Sequence, residues 1–260
     1  MSRKYIIWIL LAAAVVAGLL LAAISMDSSS SSSESQGIVL PSESAQTTAA
    51  ETEEEVSGSS FVEISAENVQ TVLETLSRPS CYYQALSVER SYGSGSSMEY
   101  VEIWRRDSVC EIILSADGQD ALHYLTDGET LYLWYEGEDK AVQTVLPDGW
   151  SADDLAGIPT YEDARNLESS AILDASSVEP AGFAGVACVY ILYETEDGTE
   201  ESLWISMDSG MLVQAHTVTD GILTYRMVQT EMQTLTATDT VFDARFLLPD
   251  GTAPFAESAD

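Results

Sequence analysis

Asp-Gly pairs recur beyond Cys81, among them Asp117-Gly118, Asp127-Gly128, Asp197-Gly198 and Asp220-Gly221 between strand-like runs. Asp-Gly supplies the positive φ angles of tight hairpins, and such short turns join antiparallel strands, whereas parallel strands need long crossovers. Between the pairs lie short runs rich in Val, Ile, Tyr, Trp and Thr, the residues that suit a pleated surface. The pattern predicts eleven strands, at residues 81–92, 98–106, 109–116, 120–126, 130–136, 140–146, 169–178, 184–196, 200–207, 211–219 and 222–235, each paired with its sequence neighbour in an antiparallel meander.

One helix precedes the strands. Ser65 is placed to cap it, Val69, Val72, Leu73 and Leu76 recur at helical spacing, and Arg78-Pro79 ends it, because the residue before proline avoids the helical region. Between residues 148 and 167, the runs 151–155 and 161–164 read as two short helical pieces broken at Pro159.

The strands are apolar on both faces. Leu131, Leu133 and Tyr135 alternate with Tyr132 and Trp134, and Val186, Cys188, Tyr190 and Leu192 alternate with Ala187, Val189, Ile191 and Tyr193. An antiparallel sheet with one wet face would alternate apolar with polar. The second face therefore needs a cover, and three covers fit: a sheet rolled into a packed core, a hydrophobic cavity holding a ligand, or a partner protein.

The N-terminus sets the location. Arg3 and Lys4 precede an uncharged apolar run at residues 5–25, long enough for a spanning helix. The positive-inside rule then keeps residues 1–4 in the cytoplasm and exports the rest. A cleaved signal peptide, cut after Ala23-Ile24-Ser25, is the alternative, and would make the protein secreted. Residues 26–60 begin with a serine run and continue through Ser, Glu, Thr and Ala, with too little apolar surface to offset the entropy of ordering. They read as a disordered linker that, as a random coil, would hold a domain at 61–256 on the order of 30 Å from the bilayer, followed by a tail at 257–260.

With 43 Asp+Glu against 10 Lys+Arg, the formal charge of -33 excludes nucleic acid as a partner and leaves membrane contact to the N-terminal helix alone. The three cysteines, Cys81, Cys110 and Cys188, show no disulfide framework. They sit in apolar contexts suited to buried thiols; Cys81 with Cys110 is the preferred pair if a bridge forms.

Catalytic signals are scarce. His123 and His216 lie inside strands, away from cysteines or paired carboxylates at ligand spacing, so neither reads as a metal ligand or general base, and no cofactor is implied. No nucleophile elbow, zinc motif or glycine-rich phosphate loop is present. The acidic turn at 194–201 lacks the residue order of a calcium loop and reads as a solvated hairpin tip. Arg105 and Arg106 adjoin Trp104 at the end of a strand, where only one of the two can point inward. An inward arginine could hold the polar head of a ligand at a cavity mouth.

Three segments in this order resemble the bacterial lipoprotein-carrier superfamily, the LolA and LolB carriers and the related sigma-factor regulator RseB. Residues 98–106 followed by 109–112 are similar to its early hairpin, residues 124–135 to its Asp-Gly hairpin ending in Leu-Trp-x-Tyr, and residues 203–213 with 246–251 to its closing turns. The family usually has proline after the basic residue of the first hairpin; Asp107 stands there. The resemblance, over residues 64–255, implies an α+β fold. Its parts are a curved antiparallel sheet forming an open half-barrel, an N-terminal helix and short lid helices. It implies binding without catalysis. The long apolar run, serine linker and missing lipobox resemble a Gram-positive-type, membrane-anchored relative. The expected ligand is a lipid, acyl chain or lipoprotein, with Trp104, Arg105, Tyr132, Leu133, Trp134, Tyr190 and Trp204 as lining. The alternative is a regulatory or scaffolding module that recognises another envelope or spore protein.

Overall fold

Alternation and turn chemistry produce a single antiparallel sheet. The computed structural model describes residues 63–160, 162 and 165–255. The expected anchor at 5–25, linker at 26–60 and tail at 257–260 lie outside the described residues, and no described helix is long and apolar enough to cross a membrane.

All eleven expected strands are present: β1 (Cys81–Tyr92), β2 (Gly95–Arg106), β3 (Val109–Ala116), β4 (Leu122–Thr126), β5 (Thr130–Tyr135), β6 (Val142–Val145), β7 (Ile172–Val178), β8 (Cys188–Glu194), β9 (Glu200–Ser206), β10 (Leu212–Thr219) and β11 (Ile222–Thr234). Their spatial order is β6-β5-β4-β3-β2-β1-β11-β10-β9-β8-β7. Two meanders, β1 to β6 and β7 to β11, thus meet where β1 pairs with β11, from Tyr82 opposite Thr234 to Arg90 opposite Tyr225. The sheet is open, with β6 and β7 as its edges.

β7 and β8 start three or more residues later than the sequence suggests. Residues Ser169–Ala171 form a 3-10 turn, so β7 begins at Ile172. Residues 180–186 make consecutive turns, Phe183 N–H to Pro180 O and Val186 N–H to Phe183 O, with Gly182 and Gly185 at positive φ. These turns take Val186 and Ala187 out of β8.

The hairpin chemistry is as the residues require. Asp220 and Gly221, at φ 53° and 75°, are both left-handed, the demand of a type I′ turn, and they join Thr219 to its partner Ile222. Asp107 also sits at φ 53°, between Arg106 and Val109. Proline, fixed near −65°, could not take that position.

Helix α1 (Val69–Thr75) starts later than a Ser65 cap would place it. The Ser65 hydroxyl does not cap; instead its N–H donates to Asn68 Oδ1 at 2.9 Å and its carbonyl accepts from Val69 N–H, also at 2.9 Å. Helix α2 (Ala152–Ala156) is tightly specified: Ser151 and Asp154 form a capping box, and Gly157 closes it in the left-handed conformation. The second short piece, at 161–164, falls mostly outside the described residues. Helix α3 (Val241–Arg245) follows β11.

Val69, Val72 and Leu73 of α1 and Leu155 and Ala156 of α2 pack on one face of the sheet, against Tyr82, Leu86, Val88, Val101, Ile103, Ile112, Ile191, Leu203, Ile205 and Met227. On the opposite face, Phe242 and Phe246, in and just after α3, pack against Cys81, Trp104, Leu125 and Trp134. For β5 the two apolar faces are explained by two cores, a large one under α1 and α2 and a smaller one under α3, whereas on the second face of β8 Tyr190 and Leu192 stay half-buried.

Candidate functional site

Strand parity decides which expected lining residues can meet. Tyr82 stands opposite Arg105, which stands opposite Cys110, and Tyr124 stands opposite Leu133. Tyr82 and Cys110, with Leu133 against them, belong to the core under α1 and α2, so Arg105 and Leu133 face that side. Trp104, one residue from Arg105, faces the other side, as do Tyr132 and Trp134 beside Leu133. Tyr190 is the register partner of Trp204, and the intervening residues Ile191, Leu203 and Ile205 belong to the large core, so this pair also points away from it. The seven residues therefore do not line one cavity: five aromatics lie on one face, and Arg105 and Leu133 on the other.

The five aromatics form two groups. Trp104 packs on Tyr83 with centroids 4.1 Å apart, and Arg245 lies 4.7 Å over its ring. Trp134 stacks on His123 at 5.0 Å, and Tyr132 meets Phe255 edge-on at 5.7 Å. Trp104 and Trp134 are buried, which makes this group packing and not lining. Further along the same face, Tyr190, Trp204 and His216 form a half-buried row with 4.9 Å between successive rings.

Cys81 and Cys110, the preferred pair had a bridge formed, are not bridged. Cys81 pairs with Arg106 and Cys110 with Arg105, so the whole of β2 separates them and they face opposite sides. Two strand spacings put their Cα atoms roughly 10 Å apart, beyond the reach of a bridge. All three cysteines are buried and free, and burial pushes the Cys110 and Cys188 thiols up to about 12.

Arg105 leads to the site. At the end of the helix-covered face, between Pro79, the β2–β3 turn and the start of α2, lies a cavity of about 560 Å³. Arg78, Tyr82, Arg105, Asp107, Asp153 and Glu162 line it. Arg78 Nη1 donates to Asp153 Oδ2 at 2.5 Å and Nη2 to Glu162 Oε2 at 2.9 Å. Burial opposes the Arg78 charge, but the two carboxylates outweigh it and hold its pKa above the ordinary value. Burial likewise drives the Asp153 carboxyl upward, against the pull of Arg78. Arg105 Nε donates to the Asp107 carbonyl at 2.9 Å, and among the described residues no carboxylate lies within ion-pair distance of its guanidinium. The Tyr82 hydroxyl, on a residue only 1% exposed, has no hydrogen-bond partner among the described residues. Its pKa is raised, first by burial. Arg106 turns to the other face, over the rings of Phe242 and Phe246 and 4.0 Å from Asp243.

Sequence reasoning singled out Arg105 but missed Arg78, Tyr82 and Asp153, which converge only through tertiary contacts. It also missed that His123 Nδ1 lies 3.1 Å from Glu111 Oε1 across β3 and β4. Among the described residues, no group of three or more His, Cys, Asp or Glu side chains is arranged to hold a metal ion. At the acidic hairpin tip, Asp197 Oδ1 accepts from Thr195 Oγ1 at 2.5 Å and Thr199 N–H at 3.2 Å, so its carboxylate serves its own turn.

No family model matches the chain, and no curated protein matches it. Solved structures do. MucB is 19% identical, with 66% of this chain covered and a TM-score of 0.42; the chain spans 59% of MucB's length. A complex of Pseudomonas aeruginosa MucB with MucA also matches. A LolA-superfamily protein from Nitrosomonas europaea is 7% identical, covering 71% of this chain and 100% of that one at a TM-score of 0.34. The Mycobacterium tuberculosis lipoprotein LppX is 13% identical, covering 64% and 93% at 0.38. A LolA-superfamily protein is thus among the solved structures similar to this chain, at a TM-score below 0.5.

Proposed function

We propose that this chain is a non-catalytic binding module outside the cell membrane, held there by residues 5–25 through the segment 26–60, and that it grips an envelope protein or peptide at the polar end of its helix-covered face. The observation that supports this reading is the cavity of about 560 Å³, a size typical of ligand sites, at the end of a face that is otherwise filled. Val88, Val101, Ile103, Ile112, Ile191 and Ile205 along that face are wholly buried.

A second reading, an acyl chain or lipoprotein held in a half-barrel, is favoured by α2. That helix is five residues long and is tied by polar contacts at both ends, Asp153 to Arg78 and the Gly157 carbonyl to Arg90 Nη2 at 3.0 Å. Lifted as a lid, it would open the apolar core beneath.

Photo-crosslinking in living cells from a reactive residue at position 107 separates the two. The protein-binding reading expects an adduct with the mass of a polypeptide. An acyl-sized adduct, lost on Leu133→Asp, makes lipid the cargo, and no adduct of either kind sinks the binding-module reading.

A further inference from the structure

The cavity carries groups of both signs and one unused donor. Arg78 is neutralised by Asp153 and Glu162, whereas Arg105 has only the neutral Asp107 carbonyl and Tyr82 has nothing. A buried hydroxyl without a partner is destabilising, and such a group in a native structure calls for an explanation. Tyr82 and Arg105 are register partners on the same face, so their polar ends can converge on one ligand group. A guanidinium and a phenol side by side suit a carboxylate, which accepts several hydrogen bonds at once. A simple anion would, however, also face Asp107, Asp153 and Glu162, and a simple cation would face Arg78 and Arg105.

We propose that this cavity binds a small zwitterion, a free amino acid or a short peptide with both ends unblocked. Its carboxylate bridges Arg105 and the Tyr82 hydroxyl, and its ammonium turns toward Asp107 and Glu162. The inference rests on the binding-module reading and names what that site takes. The volume suits a di- or tripeptide, within the roughly 300–1,000 Å³ of small-molecule sites.

The test uses the full chain and calorimetric titration with alanyl-alanine, its N-acetyl form, its C-terminal amide and glucose. The expected result is saturable binding of alanyl-alanine, with each blocked form and glucose at least about tenfold weaker. Tyr82→Phe should weaken binding by about tenfold while leaving the melting temperature unchanged or raised, because the hydroxyl has no partner to lose in the free protein. Arg105→Gln should give the same loss and decides the matter if Tyr82→Phe does not fold; Arg106→Gln, on the other face, should bind as the native chain does. Binding of the blocked forms or glucose as well as alanyl-alanine, native affinity in Tyr82→Phe or Arg105→Gln, or no saturation by about 10 mM overturns the proposal. A polypeptide adduct from position 107 in a chain that ignores alanyl-alanine would leave the module reading standing and remove only the zwitterion.

Discussion

Arg78 and Asp153 join the end of α1 to the first turn of α2 through a 2.5 Å contact, with only 16% and 7% of their side-chain surfaces exposed. Arg90 fastens the other end of α2, through the Gly157 carbonyl at 3.0 Å, while pairing with Glu99 at 2.6 Å. In a chain with ten Lys+Arg, two arginines are thus committed to one five-residue helix.

Arg78→Met removes the cation and leaves Asp153 buried. The expected cost is about 3 kcal/mol at neutral pH, measured by urea unfolding. Burial already raises the Asp153 carboxyl, and losing Arg78 raises it further. A raised folded pKa means the folded state holds the proton more tightly than the unfolded one. The loss should therefore be smallest in acid and grow as pH rises through that pKa. A loss independent of pH would show that Asp153 is not its source.

Gly210 lies at φ 61° in the β9–β10 turn, and a Cβ there would stand 2.6 Å from the Ser77 carbonyl oxygen. Backbone cannot yield as a flexible side chain can, so Gly210→Ala should cost about 2 kcal/mol or more. Gly198→Ala, also at positive φ but with open space around it, should cost less. Equal melting temperatures for the two variants would contradict the close approach.

His216 has its pKa lowered, first by burial and then by Arg226. The unfolded state binds the proton more tightly, so the stability His216 contributes is present in full above its ordinary value of 6.5 and declines as pH falls toward the lower folded value. An NMR titration should place His216 below 6.5, and His216→Gln should flatten the stability profile in that window. A midpoint above 6.5 would reverse the sign.

The buried thiols of Cys110 and Cys188, pushed up to about 12, should stay protonated and resist alkylation in the native chain. After denaturation without reductant, all three cysteines should alkylate. A mass short of one pair would reveal a disulfide that the register does not permit.

The strands were legible in the sequence because their signals are local: Asp220-Gly221 needs only its own φ angles, and the alternation through Leu131, Tyr132, Leu133 and Trp134 reports parity within one strand. What parity could not reveal is which face receives the helices. Trp104 and Trp134 looked like lining because large aromatics on an alternating strand read alike whether they meet a ligand or, as here, Phe242 and Phe246. The site was legible only at Arg105. Tyr82 and Arg78 carry no local signature, and their meeting with Asp153 depends on a connection that returns across the sheet.

The pairing of β1 with β11 places the earliest strand beside the last. Each meander can assemble from neighbours in sequence, but the seam between them closes only when nearly the whole domain is present. At a synthesis rate of ~5–20 residues per second, the open edge of Cys81–Tyr92 waits on the order of ten seconds for Ile222–Thr234 to emerge. During that interval a free β-edge is available to another chain, so a nascent-chain chaperone or export factor would have its clearest task at this edge.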